Sequence, residues 1–217
     1  MDNELRLRTI TACISSIIFW GVFLWLPSFF FTEILIFLLL WTLIVEYPRV
    51  CNLKQFSSWL FMLFYPLLPF LILIYFSCFQ KYKSMLGIFF LSIFCFDTGA
   101  YIIGRTCGKR VLFPHISPHK TLEGCIGGFF FVCYCLIVLA QFFPFLWHKI
   151  IYISSGISIS ATSGDFFESY LKRRAHIKDT GSILPGHGGI LDRFDSILFS
   201  SYFLCGIYLI HAYFFRK

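Results

Sequence analysis

Long apolar runs separated by short polar joints dominate this chain. Seven of them approach the roughly 20 residues that a helix needs to cross a bilayer. They run over 9–26, 28–46, 57–79, 84–104, 122–143, 147–164 and 195–214. Only Pro27-Ser28 separates the first two, which predicts a tight hairpin. Pro66 and Pro69 predict a kink in the third, since proline in a membrane helix removes a backbone donor but is tolerated. The sixth carries Ser154, Ser155, Ser158, Ser160, Thr162 and Ser163. A helix that polar is expected to face other helices or a wet cavity and not lipid.

Composition agrees with this pattern. Hydrophobic residues make up 58% of the 217, aromatics 21% and charged residues only 13%. Soluble domains carry about 25% charged residues, and a domain of this length must still show a polar exterior. A soluble globular fold is therefore excluded. The expected architecture is all-α: a polytopic integral membrane protein of about seven transmembrane helices with a cytoplasm-facing polar cavity. The run after Arg6 and Arg8 reaches Leu26 without a small-residue cleavage site, so it reads as a first membrane helix and not a signal peptide.

The net charge of +7 has two meanings in general, nucleic-acid binding or membrane topology. With the N terminus in the cytoplasm, thirteen of the eighteen Lys and Arg fall on the cytoplasmic side. That is the positive-inside bias, and the inverse topology reverses it. No nucleic-acid motif accompanies the charge, so no nucleic-acid partner is expected. The nine cysteines are odd in number, lack a CxxC pair and lie mostly in apolar runs. They read as small buried side chains, not as a disulfide framework or zinc site.

The acidic residues are unevenly spread. Five of the eleven, Asp165, Glu168, Asp179, Asp192 and Asp195, fall within 31 residues. The same stretch holds Lys172, Arg173, Arg174, His176, Lys178, His187 and Arg193. Carboxylate oxygens are hard ligands suited to Mg²⁺, and Lys and Arg neutralise phosphates. The mixture therefore suggests a site for a multivalent anion with metal ions. Asp192 and Asp195 are three apart, so on a helix they share a face. Pro185-Gly186-His187-Gly188-Gly189 precedes them and frees the backbone to approach a phosphate. A solvated loop with a helix-capping aspartate accounts for the same residues. Asp97 lies inside the fourth apolar run, where an ionisable group is a functional candidate by default. The plainer alternative is a hydrogen bond with a neighbouring helix. Gly124, Gly127 and Gly128 permit close helix packing.

The run Gly164-Asp165-Phe166-Phe167-Glu168-Ser169-Tyr170-Leu171-Lys172-Arg173 continues through Lys178-Asp179-Thr180-Gly181 to Leu184-Pro185-Gly186-His187-Gly188-Gly189-Ile190-Leu191-Asp192-Arg193-Phe194-Asp195-Ser196. It closely resembles the signature of the phosphatidate cytidylyltransferases, or CDP-diacylglycerol synthases. The segments around Asp97-x-x-Ala100-Tyr101-x-x-Gly104-Arg105 and Ser117-Pro118-x-Lys120-Thr121-x-Glu123-Gly124 look like the same family. The resemblance is strong over residues 90–200. Two departures stand out: the chain is short for the family, and His119 occupies a position where a second lysine is expected.

The resemblance implies the reaction of CTP with phosphatidate to give CDP-diacylglycerol and diphosphate. It implies catalytic roles for Asp165, Asp192, Asp195, Lys172, Arg173, Lys178 and Asp179, with Asp165, Asp192 and Asp195 as the metal centre. Substrate contacts are expected from Asp97, Ser117, Lys120, His187, Gly188, Gly189 and Arg193. The expected cofactor is Mg²⁺, with K⁺ as a further ion, and the expected partners are CTP, bilayer phosphatidate and a second copy in a homodimer. The helices of 1–83 would precede a catalytic membrane region over 84–217, with cytoplasmic loops at 105–121 and 165–194. In a bacterium the location would be the inner or plasma membrane. The rival readings are a CTP-dependent transferase acting on another lipid phosphate or a polyprenol, and an ion-coupled transporter using the buried Asp and His.

Overall fold

The computed structural model describes residues 2–51, 54–114, 116–177, 179–181 and 188–215. Among them are seven long helices: α1 (Asp2–Trp25), α2 (Ser28–Val50), α3 (Phe56–Ser77), α4 (Gln80–Cys107), α5 (Leu122–Ala140), α6 (Ile150–Arg174) and α7 (Leu191–Phe215). Five of these, α2, α3, α4, α5 and α7, are long and apolar enough to cross a membrane. In α1 the described stretch Ile14–Trp25 is a shorter apolar segment. In α6 the serines and the charged last turns dilute the apolar character. The polytopic membrane fold holds, and among the described residues length and composition mark five crossings where seven are expected.

Two expectations about loops are corrected. The segment expected as a loop from 165 is helical through Arg174. Glu168 and Leu171 are buried one turn apart, and Lys172 pairs with Glu168 four residues earlier, so this stretch has helical spacing and a helix-stabilising ion pair. The expected loop 105–121 contains a small antiparallel hairpin, β1 (Val111–Phe113) and β2 (Ser117–Thr121). Val111-Leu112-Phe113 is the apolar β-forming tract that the all-α expectation passed over.

The chain divides into two compact units. The first comprises residues 1–87 and 174–194. Pro27 separates α1 from α2, as the hairpin expectation required. The rings of Phe23 and Phe31 meet edge to face at 5.1 Å across that turn, and Lys83 donates to the carbonyls of Leu24 and Leu26. Thr32 and Ser77 share a buried hydroxyl contact of 2.9 Å between α2 and α3. Both helices contain a π-helical turn, Thr42–Glu46 in α2 and Leu63–Leu67 in α3. The second turn carries Pro66, and Tyr65 leaves the helical region there (φ −152°, ψ 114°), so the kink predicted from the prolines is present. Phe70 stacks on Phe194 at 5.8 Å.

The second unit comprises residues 88–173 and 195–217. Its helices approach closely on glycines. A Cβ at Gly124 would lie 2.8 Å from the Ala100 carbonyl, and one at Gly128 would lie 2.6 Å from the Phe96 ring. The GxxGG spacing on α5 therefore lets α4 come within backbone reach. The polar helix α6 packs as its serines predict: Ser154 is buried, and Ser160 donates to the Ser200 hydroxyl on α7 at 3.0 Å.

Replacing Gly128 with Leu forces a side chain into the Phe96 ring and carbonyl. Overpacking of this kind costs about 1–3 kcal/mol, so the thermal midpoint of the detergent-solubilised variant should fall. Gly206→Ala, where nothing lies within 4 Å of the added Cβ, should leave the midpoint unchanged or raise it slightly.

Candidate active site

The expected site residues fall into two clusters, one in each unit. In the second unit, β2 presents Lys120 to α6, where its ammonium pairs with the Asp165 carboxylate. Ser196, on α7, is buried and donates to Asp165 Oδ1 at 2.7 Å, with Asp97 Oδ1 3.4 Å away. One hydroxyl thus lies against two carboxylates from helices 31 and 99 residues away in sequence. Burial pulls the Lys120 pKa below the ordinary lysine value, while the negative charges of Asp195 and Asp97 oppose that pull. Asp97, Asp165 and Asp195 therefore share one electrostatic neighbourhood with the partly buried Lys120 ammonium. Ser117 opens β2 three residues before Lys120.

Lys172 and Arg173 lie further along α6. Lys172 pairs with the buried Glu168 at 3.0 Å, and Arg173 donates from Nε to the Ile116 carbonyl at 3.4 Å. Arg173 is exposed. Glu168 is thus a buried acid whose partner is a lysine expected to contact phosphate.

In the first unit the organising group is Asp192, in the first turn of α7. Its Oδ2 accepts from the Thr180 N–H (2.9 Å), the Thr180 hydroxyl (3.0 Å) and the Gly189 N–H (2.7 Å). Gly188 has φ +80°, and a Cβ there would lie 2.5 Å from the same oxygen. Only a glycine lets the backbone turn this tightly onto the carboxylate. A second acid stands behind Asp192. Glu46, fully buried at the end of the π-helical turn of α2, accepts from the N–H groups of Ile190 and Leu191, both at 2.7 Å. Asp179 and Arg193 are both exposed in this unit. Lys178 and His187 lie outside the described residues.

The structure therefore brings Asp97, Lys120, Asp165 and Asp195 together and places Asp192, Gly188 and Gly189 in the other unit. Among the described residues, no three His, Cys, Asp or Glu side chains close into a complete metal cage. The sequence reading missed Ser196 and Thr180 as hydrogen-bonding partners and missed Glu46 altogether. A signal for Glu46 was available: it is an acid at the end of an apolar run, the same argument that selected Asp97.

A family model described as "Cytidylyltransferase family" matches residues 2–211. The chain belongs to the cytidylyltransferase family. It is 46% identical over 114 residues to a phosphatidate cytidylyltransferase of Staphylococcus aureus (strain COL), a stretch covering 51% of this chain and 43% of that protein. It is 47% identical over 114 residues to the phosphatidate cytidylyltransferase of Bacillus subtilis (strain 168), covering 50% and 41%. The phosphatidate cytidylyltransferase of Staphylococcus haemolyticus (strain JCSC1435) is 49% identical over 113 residues, covering 51% and 43%. The chain thus spans less than half the length of these curated relatives in the matched stretch. Within this cytidylyltransferase-family chain, the two polar clusters gather most of the expected site residues among those described.

The Lys120–Asp165 pair should be coupled. Removing one partner leaves the other charge partly buried without compensation, so Lys120→Met and Asp165→Asn should each destabilise. The double variant should be less destabilised than the sum of the singles, with an interaction of about 0.5–3 kcal/mol. A double-mutant cycle on thermal or denaturant unfolding in detergent reads this, and strict additivity would refute it.

Proposed function

We propose that this membrane protein is a phosphatidate cytidylyltransferase, joining CTP and phosphatidate to form CDP-diacylglycerol and diphosphate. The observation that carries the reading is the cluster of Asp97, Lys120, Asp165 and Ser196, on residues that also bear the family signature. An oxygen of the lipid phosphate attacks the α-phosphorus of CTP. The new P–O bond forms as the bond to the bridging oxygen toward the β-phosphorus breaks, and diphosphate leaves. Phosphatidate is already ionised near neutral pH, so no general base is required. Both reactants are anions, and the chief demands are charge neutralisation and alignment.

The residues suit those demands. Lys120 and, further along α6, Lys172 and Arg173 supply positive charge for phosphates. Asp165 and Asp97, joined through Ser196, with Asp195 nearby, offer hard oxygen ligands of the kind that Mg²⁺ takes alongside water and substrate phosphates. When bound, Mg²⁺ would draw negative charge from the phosphates and from the departing diphosphate. Ser196 holds the two carboxylates in register, and Lys120 keeps Asp165 paired when no other cation is present. The active site faces the cytoplasm, in keeping with the bias of Lys and Arg. The family resemblance implies a homodimer.

Purified protein should incorporate label from CTP into lipid when given phosphatidate and Mg²⁺, and should lose that activity in EDTA. Ether-linked lipid phosphates and polyprenols, offered as competing acceptors, should be poor. A preference for one of them would move the assignment to a related CTP-dependent transferase. Ion flux in liposomes without CTP turnover would point to a transporter. Asp165→Asn should lower turnover on the order of 100-fold or more, since even outer-shell changes at metal sites cost about 10–100-fold. Near-normal turnover in that variant would remove Asp165 from the metal centre.

A further inference from the structure

The glycine-rich segment before α7 is the place where sequence reasoning expects backbone N–H groups to cradle phosphate. In the structure the Gly189 donor, and the two that follow it, are already engaged. Gly189 donates to Asp192, and Ile190 and Leu191 donate to Glu46. A carboxylate at a helix N-terminus neutralises the positive end of the helix and satisfies amides that have no intrahelical partner. Glu46 does this from 144 and 145 residues away in sequence, from a helix of the N-terminal region.

Its surroundings are built for the contact. Glu46 is fully buried. It ends a π-helical turn, a local irregularity that re-aims a side chain and recurs at functional sites. Thr180, also fully buried, donates its hydroxyl to Asp192 Oδ2 at 3.0 Å and lies 3.5 Å from Glu46 Oε2, so one side chain connects the two acids. Arg49, three residues past Glu46, reaches the Thr180 carbonyl at 3.5 Å. A Cβ at Gly189 would lie 2.4 Å from the Thr180 hydroxyl and 2.7 Å from Glu46 Oε1. That glycine is required for the backbone to lie against Glu46.

We propose that Glu46 is a positioning residue, whose buried carboxylate fixes the Ile190 and Leu191 amides and so sets the orientation of Asp192 and the glycine turn that wraps it. This inference rests on the cytidylyltransferase reading for its catalytic consequence, although the clamp itself does not. It gives the N-terminal membrane helices a definite role, because α2 delivers the acid that holds the start of α7. It also means that the Gly189–Leu191 amides hold the chain's own carboxylates, so the segment serves the reaction by presenting Asp192.

The test compares the purified wild-type chain with Glu46→Ala and Glu46→Gln by amide-resolved hydrogen exchange and by kcat and KM for CTP. In Glu46→Ala, exchange at Ile190 and Leu191 should speed up at least about tenfold, as expected for loss of a hydrogen bond to a charged acceptor. Leu73 and Phe76, buried in the same unit, serve as reference amides and should not change. Glu46→Gln keeps one acceptor oxygen and should release only one of the two amides. With the exchange change, kcat should fall about 10–100-fold in the alanine variant and less in the glutamine variant, with KM for CTP little changed. Unchanged exchange at Ile190 and Leu191 overturns the proposal. So does acceleration shared equally by the reference amides, which marks a purely structural residue, and so does local acceleration with an unchanged kcat. If wild type turns over no CTP, the reading of function fails, and the exchange pattern alone then decides the clamp. If the alanine variant does not fold, the glutamine variant carries the same comparison.

Discussion

A carboxylate removed from water must be given donors, and most of the polar architecture in this chain follows from that requirement. The transfer cost of an unpaired charge into a low-dielectric interior is large enough to unfold a domain of ordinary stability. Glu46 meets the requirement with two backbone amides at the start of α7. Asp192 meets it with Thr180 and Gly189. Asp165 meets it with Lys120 and Ser196. Each solution recruits a group from another part of the chain, so each acid also acts as a fastener.

The two units handle charge differently. In the first, backbone N–H groups neutralise Glu46, and two acids can stand close to one threonine. In the second, a lysine ammonium is placed among carboxylates, and burial and negative charge pull its pKa in opposite directions. The first arrangement is rigid, because backbone donors cannot swing away. The second is exchangeable, because a lysine on a flexible stem can leave a carboxylate when another cation or a phosphate competes.

Glycine plays two separate roles here. On α5, Gly124 and Gly128 let helices touch, a packing role that the spacing already indicates. At Gly188 and Gly189 the absent side chains make room for carboxylate oxygens of the chain itself. Sequence reasoning assigned the second pair to phosphate because glycine-rich loops commonly offer N–H donors to anions. The anion in contact is a carboxylate, which makes the same demand on the backbone.

The sequence alone determined that the chain lives in a membrane, because 58% hydrophobic content at this length leaves no other solvent for it. It also determined where the charged residues cluster, the hairpin at Pro27, the kink at Pro66 and the family, because these are local patterns of composition, proline and spacing. It could not determine that residues 165–174 continue α6. That outcome depends on burying Glu168 and Leu171, and a charged stretch reads locally as a loop. Nor could it join Ser196 to Asp165 and Asp97, or Glu46 to Ile190 and Leu191. Those contacts span from 31 to 145 residues, and local periodicity carries no information about which distant donor will satisfy a buried acid. Only the tertiary structure decided those partners, because a buried charge is stabilised by whatever the fold brings within hydrogen-bond reach.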